Sequence, residues 1–391
     1  MTRHREPLRV AFVAGTLAQG GAEKQLTYMV AALKSAGARV QVYSLLAGGH
    51  FEPVLTAMGI PVVHVGQHDS PAVRVWQLMR ALRHFRPHVV QAAHFYVNLY
   101  AALASRPIHA VSVGAIRSDG VKDLQDTGRW ARCLLLLPEV LVVNSCAARE
   151  RAMSSGVAPD RVHVIPNVLA LPATRSLHAE AADGGIQAVA AGGLHPDKRF
   201  DRFVAALALA RRRHPQLRGV IAGSGPERAR LEQQASDLGL LPAGLRFEGH
   251  TPDLPALLRR SHMLALTSTH EGFPNVLLEA MAEGLPVVTT PAGDSSRLVQ
   301  DRVTGYVVGF DDVTGLADRM VELAASAELR RRLGEAGRAR VIDEFSPARL
   351  GDQLLATYSG AARRSRAAPL LSILEHLGAS SSAERDGRCP A

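Results

Sequence analysis

Glu271 and Glu279 stand eight residues apart in the stretch Glu-Gly-Phe-Pro-Asn-Val-Leu-Leu-Glu, and this pairing carries more chemistry than any other part of the chain. Val276, Leu277, Ala280 and Met281 recur with helical spacing, Pro274 suits a first helical turn, and Gly284 offers a stop before the strand-like Pro286-Val-Val. Glu271 therefore falls on the loop before a helix and Glu279 about one turn inside it. Between them, the backbone N–H groups of Asn275 to Leu277 open at the positive end of the helix dipole, which is a natural seat for a phosphate. Two carboxylates beside a phosphate would repel it unless they held something else, and sugar or ribose hydroxyls are their natural partners. The arrangement reads as a nucleotide-sugar site.

Three further groups could join it. Gly20-Gly21-Ala22-Glu23 ends a strand-to-helix loop, where glycines let backbone approach a ligand closely. His94 follows the strand Val89-Val90, at the carboxyl end where open α/β sheets bind ligands. Gly192-Gly193-Leu194-His195-Pro196-Asp197-Lys198 follows another strand and ends in a cation, with Arg199 next to it. Gly-Ser-Gly-Pro-Glu, from 223 to 227, lacks the third glycine of a dinucleotide fingerprint and is weak evidence for a nicotinamide cofactor.

The elements that must position these residues form two successive strand-then-helix series, which implies two α/β layers with parallel sheets. The first series runs from strand 8–14 and helix 22–36 through strands at 39–45, 61–65, 89–90, 110–113, 140–144 and 162–165, with a helix at 71–85. The second contains strands at 186–191, 217–222, 245–247, 263–267 and 285–290, with a helix at 199–213. Residues 313–358 read as helical with a break near Ser346-Pro347. The expected domains are 1–168 and 186–345, separated by an aperiodic connection, followed by C-terminal helices over 346–377 and a disordered tail over 378–391.

At 391 residues the chain is long enough for two domains with their own cores, and 47 % hydrophobic with 21 % charged residues is ordinary globular composition. No apolar run reaches about 18 residues and no secretory signal is evident, so neither a transmembrane span nor export is expected. Three cysteines without metal-ligand spacing fit a reducing compartment without structural disulfides, and the expected location is the cytoplasm. A net charge of +9 suits phosphate-bearing substrates or an anionic membrane surface. With 5 % aromatic residues there is no base-stacking platform, and no nucleic-acid partner is expected. The segment 73–86 sets Arg74, Arg80 and Arg83 against an apolar face, so peripheral contact with the inner membrane face stays open beside the plainer reading of a core helix.

The Glu-x7-Glu block, with Gly-Leu-Pro-Val-Val after it, resembles the donor-site hallmark of the retaining glycosyltransferases of family 4. The other blocks extend the resemblance over roughly residues 8 to 355. It implies the GT-B class: an α/β fold of two Rossmann-like domains with parallel sheets facing a central cleft, the last helix crossing back to the first domain. By the same resemblance, the donor is held by Gly20, Gly21, Lys198, Arg199 and the run Glu271, Gly272, Phe273, Pro274, Asn275, Val276, Leu277, with Glu279 on the ribose. His94, Lys198 and Glu271 are the implied catalytic residues. Gly193 stands where the family has an arginine, which leaves Arg199 as the compensating cation, and Arg297 stands where a glutamate is usual. The implied reaction moves a sugar from a UDP- or GDP-sugar to a hydroxyl acceptor in glycan, polysaccharide or glycolipid biosynthesis. No Asp-x-Asp pair or His/Cys cluster occurs, so no metal or other cofactor is expected, the nucleotide-sugar being a substrate. A nucleotide-sugar epimerase and a non-catalytic nucleotide-sugar binder are the alternatives.

Overall fold

Seven apolar segments between Arg9 and Val164 build one parallel sheet in the computed structural model, which describes residues 6–66, 70–118, 128–171 and 185–377. Its strands are β1 (Arg9–Ala14), β2 (Arg39–Ser44), β3 (Val62–His64), β4 (Val89–Ala92), β5 (Val111–Ile116), β6 (Val140–Val143) and β7 (Val162–Val164), in the order β3-β2-β1-β4-β5-β6-β7. Val10 pairs with Val40 on one side and Val89 on the other. The period of two sends Val10, Phe12 and Ala14 to one apolar face, and Ala11 and Val13 to the other. The first face is covered by Leu26, Met29 and Leu33 of the helix Gly21–Ser35, the second by Leu78 and Leu82 of the helix Pro71–Phe85. Burial on both sides explains why these strands read as continuous hydrophobic runs.

A second parallel sheet comprises β8 (Ile186–Ala191), β9 (Leu217–Ala222), β10 (Leu245–Gly249), β11 (Met263–Leu266), β12 (Val287–Thr289) and β13 (Gly305–Val307), in the order β10-β9-β8-β11-β12-β13. Ala188 and Ala190 face Phe203 and Leu207 of the helix Phe200–Arg213, whereas Val189 faces Leu277 and Met281 of the helix Asn275–Ala282. The chain divides into two compact units, the first made of Met1–Val168 with Pro347–Ala391, the second of Leu169–Ser346. The helices Leu350–Arg364 and Ala368–His376 belong to the first unit, where Leu354, Tyr358, Leu370 and Leu374 join the core of its sheet.

Several elements differ from expectation. Strand β13 is a three-residue strand opened by Gly305, too short to show a period. Strand β5 runs on to Ile116 through Gly114, whose virtual Cβ would lie 2.6 Å from a Leu141 methyl. The helix after β8 starts at Phe200 because Arg199 takes a left-handed conformation, φ 49°. Cys133 is a free thiol. No helix among the described residues is long and apolar enough to cross a membrane. The expected tail over 378–391 and most of the inter-domain connection, 172–184, lie outside the described residues.

Candidate active site

Each sheet reverses its strand order at one place, between β1 and β4 in the first unit and between β8 and β11 in the second. The loops leaving the carboxyl ends of such strand pairs splay apart, one to each face, and open a crevice. All the residues singled out from sequence for donor chemistry lie on these four loops or on the helices that follow them. Gly20 and Gly21 follow β1, His94 follows β4, Lys198 and Arg199 follow β8, and the run from Glu271 to Glu279 follows β11.

In the second unit the two loops are tied together. Lys198 Nζ donates to Glu271 Oε1 at 2.7 Å, and Ser268 Oγ donates to the same oxygen at 2.7 Å. Thr267 Oγ1 donates to the Lys198 carbonyl at 3.1 Å, and the Thr269 N–H to the Asp197 carbonyl at 2.8 Å. The Lys198 and Glu271 side chains are 26 % and 11 % exposed, so the pair is shielded yet reachable, and its attraction is stronger than that of a surface pair. Glu271 keeps its backbone position because Gly293, at φ 53°, lies against it: a Cβ there would stand 1.9 Å from the Glu271 carbonyl oxygen. The Asp294 N–H also donates to the Gly272 carbonyl at 3.1 Å. On the other side of the crevice, Gly223 packs on the loop after β8, and its Cβ would stand 1.8 Å from the Gly192 carbonyl oxygen.

The run after Glu271 separates into two kinds of residue. Phe273 and Leu277 are core residues, Phe273 with its ring 5.7 Å from that of Phe345. Gly272 and Pro274 are buried, whereas Glu271, Asn275, Val276 and Glu279 are half-buried and line the approach. Pro274 is the residue before the helix rather than its first residue. The Leu277 N–H donates to the Pro274 carbonyl at 3.0 Å, so it is engaged within the turn and not open as expected. Of the three amides expected to seat a phosphate, that of Leu277 is thus taken up by the turn itself.

Arg199 does not replace the arginine missing at Gly193 in this conformation. Its guanidinium grips Asp201 with three contacts of 2.9 to 3.3 Å. Burial alone would raise the Asp201 carboxyl, but the Arg199 hydrogen bonds and charge outweigh it and hold the group below its ordinary range. Arg202, from the same helix, is buried, and donates to Asp311 Oδ1 at 2.7 Å and to the Thr267 carbonyl at 3.3 Å, bracing the loop after β11 from behind. Arg297 sits half-buried in the short helix Ser295–Leu298, where its carbonyl accepts from Arg340.

In the first unit, His94 Nδ1 accepts the Gly15 N–H at 3.3 Å. That fixes the tautomer, so Nε2 carries the proton toward Glu23 Oε1 at 3.2 Å. Both ring nitrogens are therefore occupied, and the ring stacks on Tyr96 with centroids 5.4 Å apart. Gly20 precedes the helix Gly21–Ser35, and a Cβ on it would stand 2.3 Å from Glu23 Oε2. Behind this loop Tyr358 donates to Gln91 Oε1, whose amide faces Met29 Sδ. Burial drives the Tyr358 hydroxyl far above its ordinary range. Sequence reasoning missed Ser268, Thr290, whose hydroxyl holds the Ser268 carbonyl at 2.6 Å, and the Glu23–His94 pair. The signals for the first two were hydroxyl runs at the ends of strands, Thr267-Ser268-Thr269 and Thr289-Thr290.

Among the described residues no group of three or more His, Cys, Asp or Glu could hold a metal ion. Residues 19–171 match the family described as Glycosyltransferase Family 4, and residues 179–340 match Glycosyl transferases group 1. The chain belongs to the family 4 glycosyltransferases. It is 34 % identical over 139 residues to N-acetyl-alpha-D-glucosaminyl L-malate synthase of Bacillus anthracis, covering 36 % of each chain. It is 32 % identical over 163 residues to the lipopolysaccharide core biosynthesis glycosyltransferase LpsE of Rhizobium meliloti, covering 41 % of this chain and 46 % of that one. The matched segments thus span less than half the length of these curated relatives. The structure of Anabaena Alr3699/HepE in complex with UDP superposes with a TM-score of 0.77 at 22 % identity, over 90 % of this chain and 100 % of that one. That likeness shows the fold, which is the two-domain α/β GT-B class.

Proposed function

We propose that this glycosyltransferase moves a sugar from a nucleotide-sugar donor to a hydroxyl acceptor with retention of the anomeric configuration. The observation that carries the reading is the Lys198–Glu271 pair at the switch point of the second sheet, one cation and one carboxylate 2.7 Å apart and partly shielded. A nucleotide-sugar demands that pairing: an ammonium for the diphosphate, and a carboxylate for sugar hydroxyls. When the donor enters, Lys198 turns from Glu271 to the phosphate oxygens, and Glu271 accepts from the sugar while Ser268 still holds one of its oxygens.

As the bond from the anomeric carbon to the diphosphate oxygen breaks, its electron pair stays on that oxygen. Lys198 and the positive end of the helix Asn275–Ala282 stabilise the growing charge, and preorganised groups of this type contribute about 3 kcal/mol each where water is excluded. The acceptor oxygen bonds to the anomeric carbon on the face the leaving group vacates, and its proton passes to the departing phosphate oxygen. Charge stabilisation by Lys198 and the helix end makes the proposed reaction independent of a metal. His94, with both nitrogens engaged, serves as a positioning residue that fixes the Gly15 and Glu23 loop. The UDP in the HepE structure supports a uridine nucleotide, and the LpsE name supports a place in polysaccharide or glycolipid synthesis. The proposed setting is the cytoplasm.

A non-catalytic nucleotide-sugar binder is the second reading, favoured by Gly193 and by the commitment of Arg199 to Asp201. Incubating the purified chain with a panel of UDP- and GDP-sugars separates the two. Release of nucleoside diphosphate, lost in Glu271→Gln, is expected for the transferase. Tight nucleotide binding with no turnover on any donor, across acceptor panels, would support the binder.

A further inference from the structure

The amino ends of the strands in the first unit border a cavity of about 870 Å³. Among the described residues, Arg9, Arg83, Arg86, Arg106 and Arg366 line it, against a single carboxylate, Glu139. Glu139 is already committed, accepting the N–H and hydroxyl of Ser112, and burial pushes its carboxyl up. Arg9 is paired with Glu6 and donates to the Arg86 carbonyl at 2.6 Å. Among the described residues, Arg83, Arg86, Arg106 and Arg366 have no ion-pair or hydrogen-bond partner for their side chains. Most arginines elsewhere do, as Arg213 does with Asp318, Arg228 with Glu232 and Arg331 with Glu328.

All four guanidinium groups are exposed, and together around one concavity they focus positive potential into it. Three of the turns that shape the rim also hold non-glycine residues in the left-handed region: Arg86 at φ 49°, His109 at φ 56° and Arg366 at φ 54°. Glycine is the common residue at such helix ends. Here basic side chains occupy all three. His88 completes the wall as a neutral donor and acceptor, its ring held below the ordinary value by burial and by Arg9.

We propose that this cavity binds a multiply charged phosphate group, at a site separate from that of sugar transfer. Guanidinium forks match phosphate oxygens two at a time, and the four without a hydrogen bond or ion pair to the protein have their donors available for an anion. The six-residue strand β1 runs from Arg9 at this cavity to Ala14 beside Gly15 at the His94 loop, so the two sites lie roughly 20 Å apart at opposite ends of one sheet.

The test is titration of the full chain with inorganic pyrophosphate at low ionic strength, in wild type and in Arg106→Gln, Arg366→Gln, Arg86→Gly and Lys198→Ala. Affinity is expected to fall about tenfold in each of the three cavity variants. It should persist in Lys198→Ala, which removes the proposed donor seat instead. Arg86→Gly suits the left-handed backbone, so a loss of binding there without a loss of thermal stability assigns the effect to charge and not to misfolding. Vesicles of phosphatidylglycerol and phosphatidylcholine distinguish the source of the phosphate. Capture that needs Arg106 and is competed by pyrophosphate identifies a lipid headgroup, and pyrophosphate binding without capture identifies a free phosphorylated solute. No pyrophosphate binding, or binding that only Lys198→Ala abolishes, overturns the proposal.

Discussion

Lys198→Ala is the most informative single change. The 2.7 Å contact to Glu271 disappears, and the carboxylate, 11 % exposed, keeps only the Ser268 hydroxyl on its engaged oxygen. Two effects follow and can be measured apart. The folded state loses a partly shielded ion pair and leaves a carboxylate underpartnered, which costs about 1–2 kcal/mol. In a unit of this size that lowers the melting temperature by about 2–8 °C. The reaction loses the cation at the departing diphosphate, about 3–4 kcal/mol, or roughly 200- to 1000-fold in kcat/KM. The assay is nucleoside diphosphate release, at a temperature where both proteins are folded. A second variant, Glu271→Gln, and the double variant complete the cycle. If the two side chains act on one donor, the double variant is far less impaired than the product of the singles. A kcat/KM within threefold of wild type in Lys198→Ala, with the donor still turned over, refutes the reasoning.

Gly293→Ala should destabilise the second unit by about 3 kcal/mol, since it combines a left-handed backbone with a backbone clash at Glu271; circular dichroism melting checks this, and an unchanged melting temperature would sink it. Tyr358→Phe leaves the buried Gln91 without its donor and should cost about 2 kcal/mol of stability in the first unit with little change in KM, as chemical denaturation and kinetics together will show. Asp201 supplies a pH signature. Its carboxyl is held below the ordinary 3.8, so its contribution is present above that value and is lost as pH falls through the lower folded value. Acid titration of stability should therefore show a shallower fall below pH 4 in Asp201→Asn than in wild type, and identical acid limbs would count against the Arg199 clamp.

The parallel sheets were legible because strands buried on both faces spell themselves as Val, Ile, Leu and Ala runs, such as Val140–Val143. Helices with weaker stripes were not. The helix Cys146–Ser154 buries only Cys146, Ala148 and Ala152, and its sequence Cys-Ala-Ala-Arg-Glu-Arg-Ala-Met-Ser gives little contrast between faces. At the site, the residue types near Glu271 pointed to the chemistry, but not to which of them are consumed by packing. Phe273 and Leu277 look the same in sequence whether they touch a ligand or Phe345. The Arg199–Asp201 clamp was hidden for another reason: the left-handed turn at Arg199 redirects its side chain, and nothing in Asp-Lys-Arg-Phe-Asp announces that turn.

The first unit is the earliest to be synthesised and the last to be finished. Its core needs Leu354, Tyr358 and Leu374, which lie beyond the whole of the second unit. Roughly 180 residues must be translated in between, which at about 5–20 residues per second takes on the order of ten to thirty seconds. Through that interval one apolar flank, including Leu33, waits on the ribosome without its final cover. A nascent chain in that state is a natural client for holding chaperones, and a gene fragment ending at Val168 would inherit the same bare flank permanently.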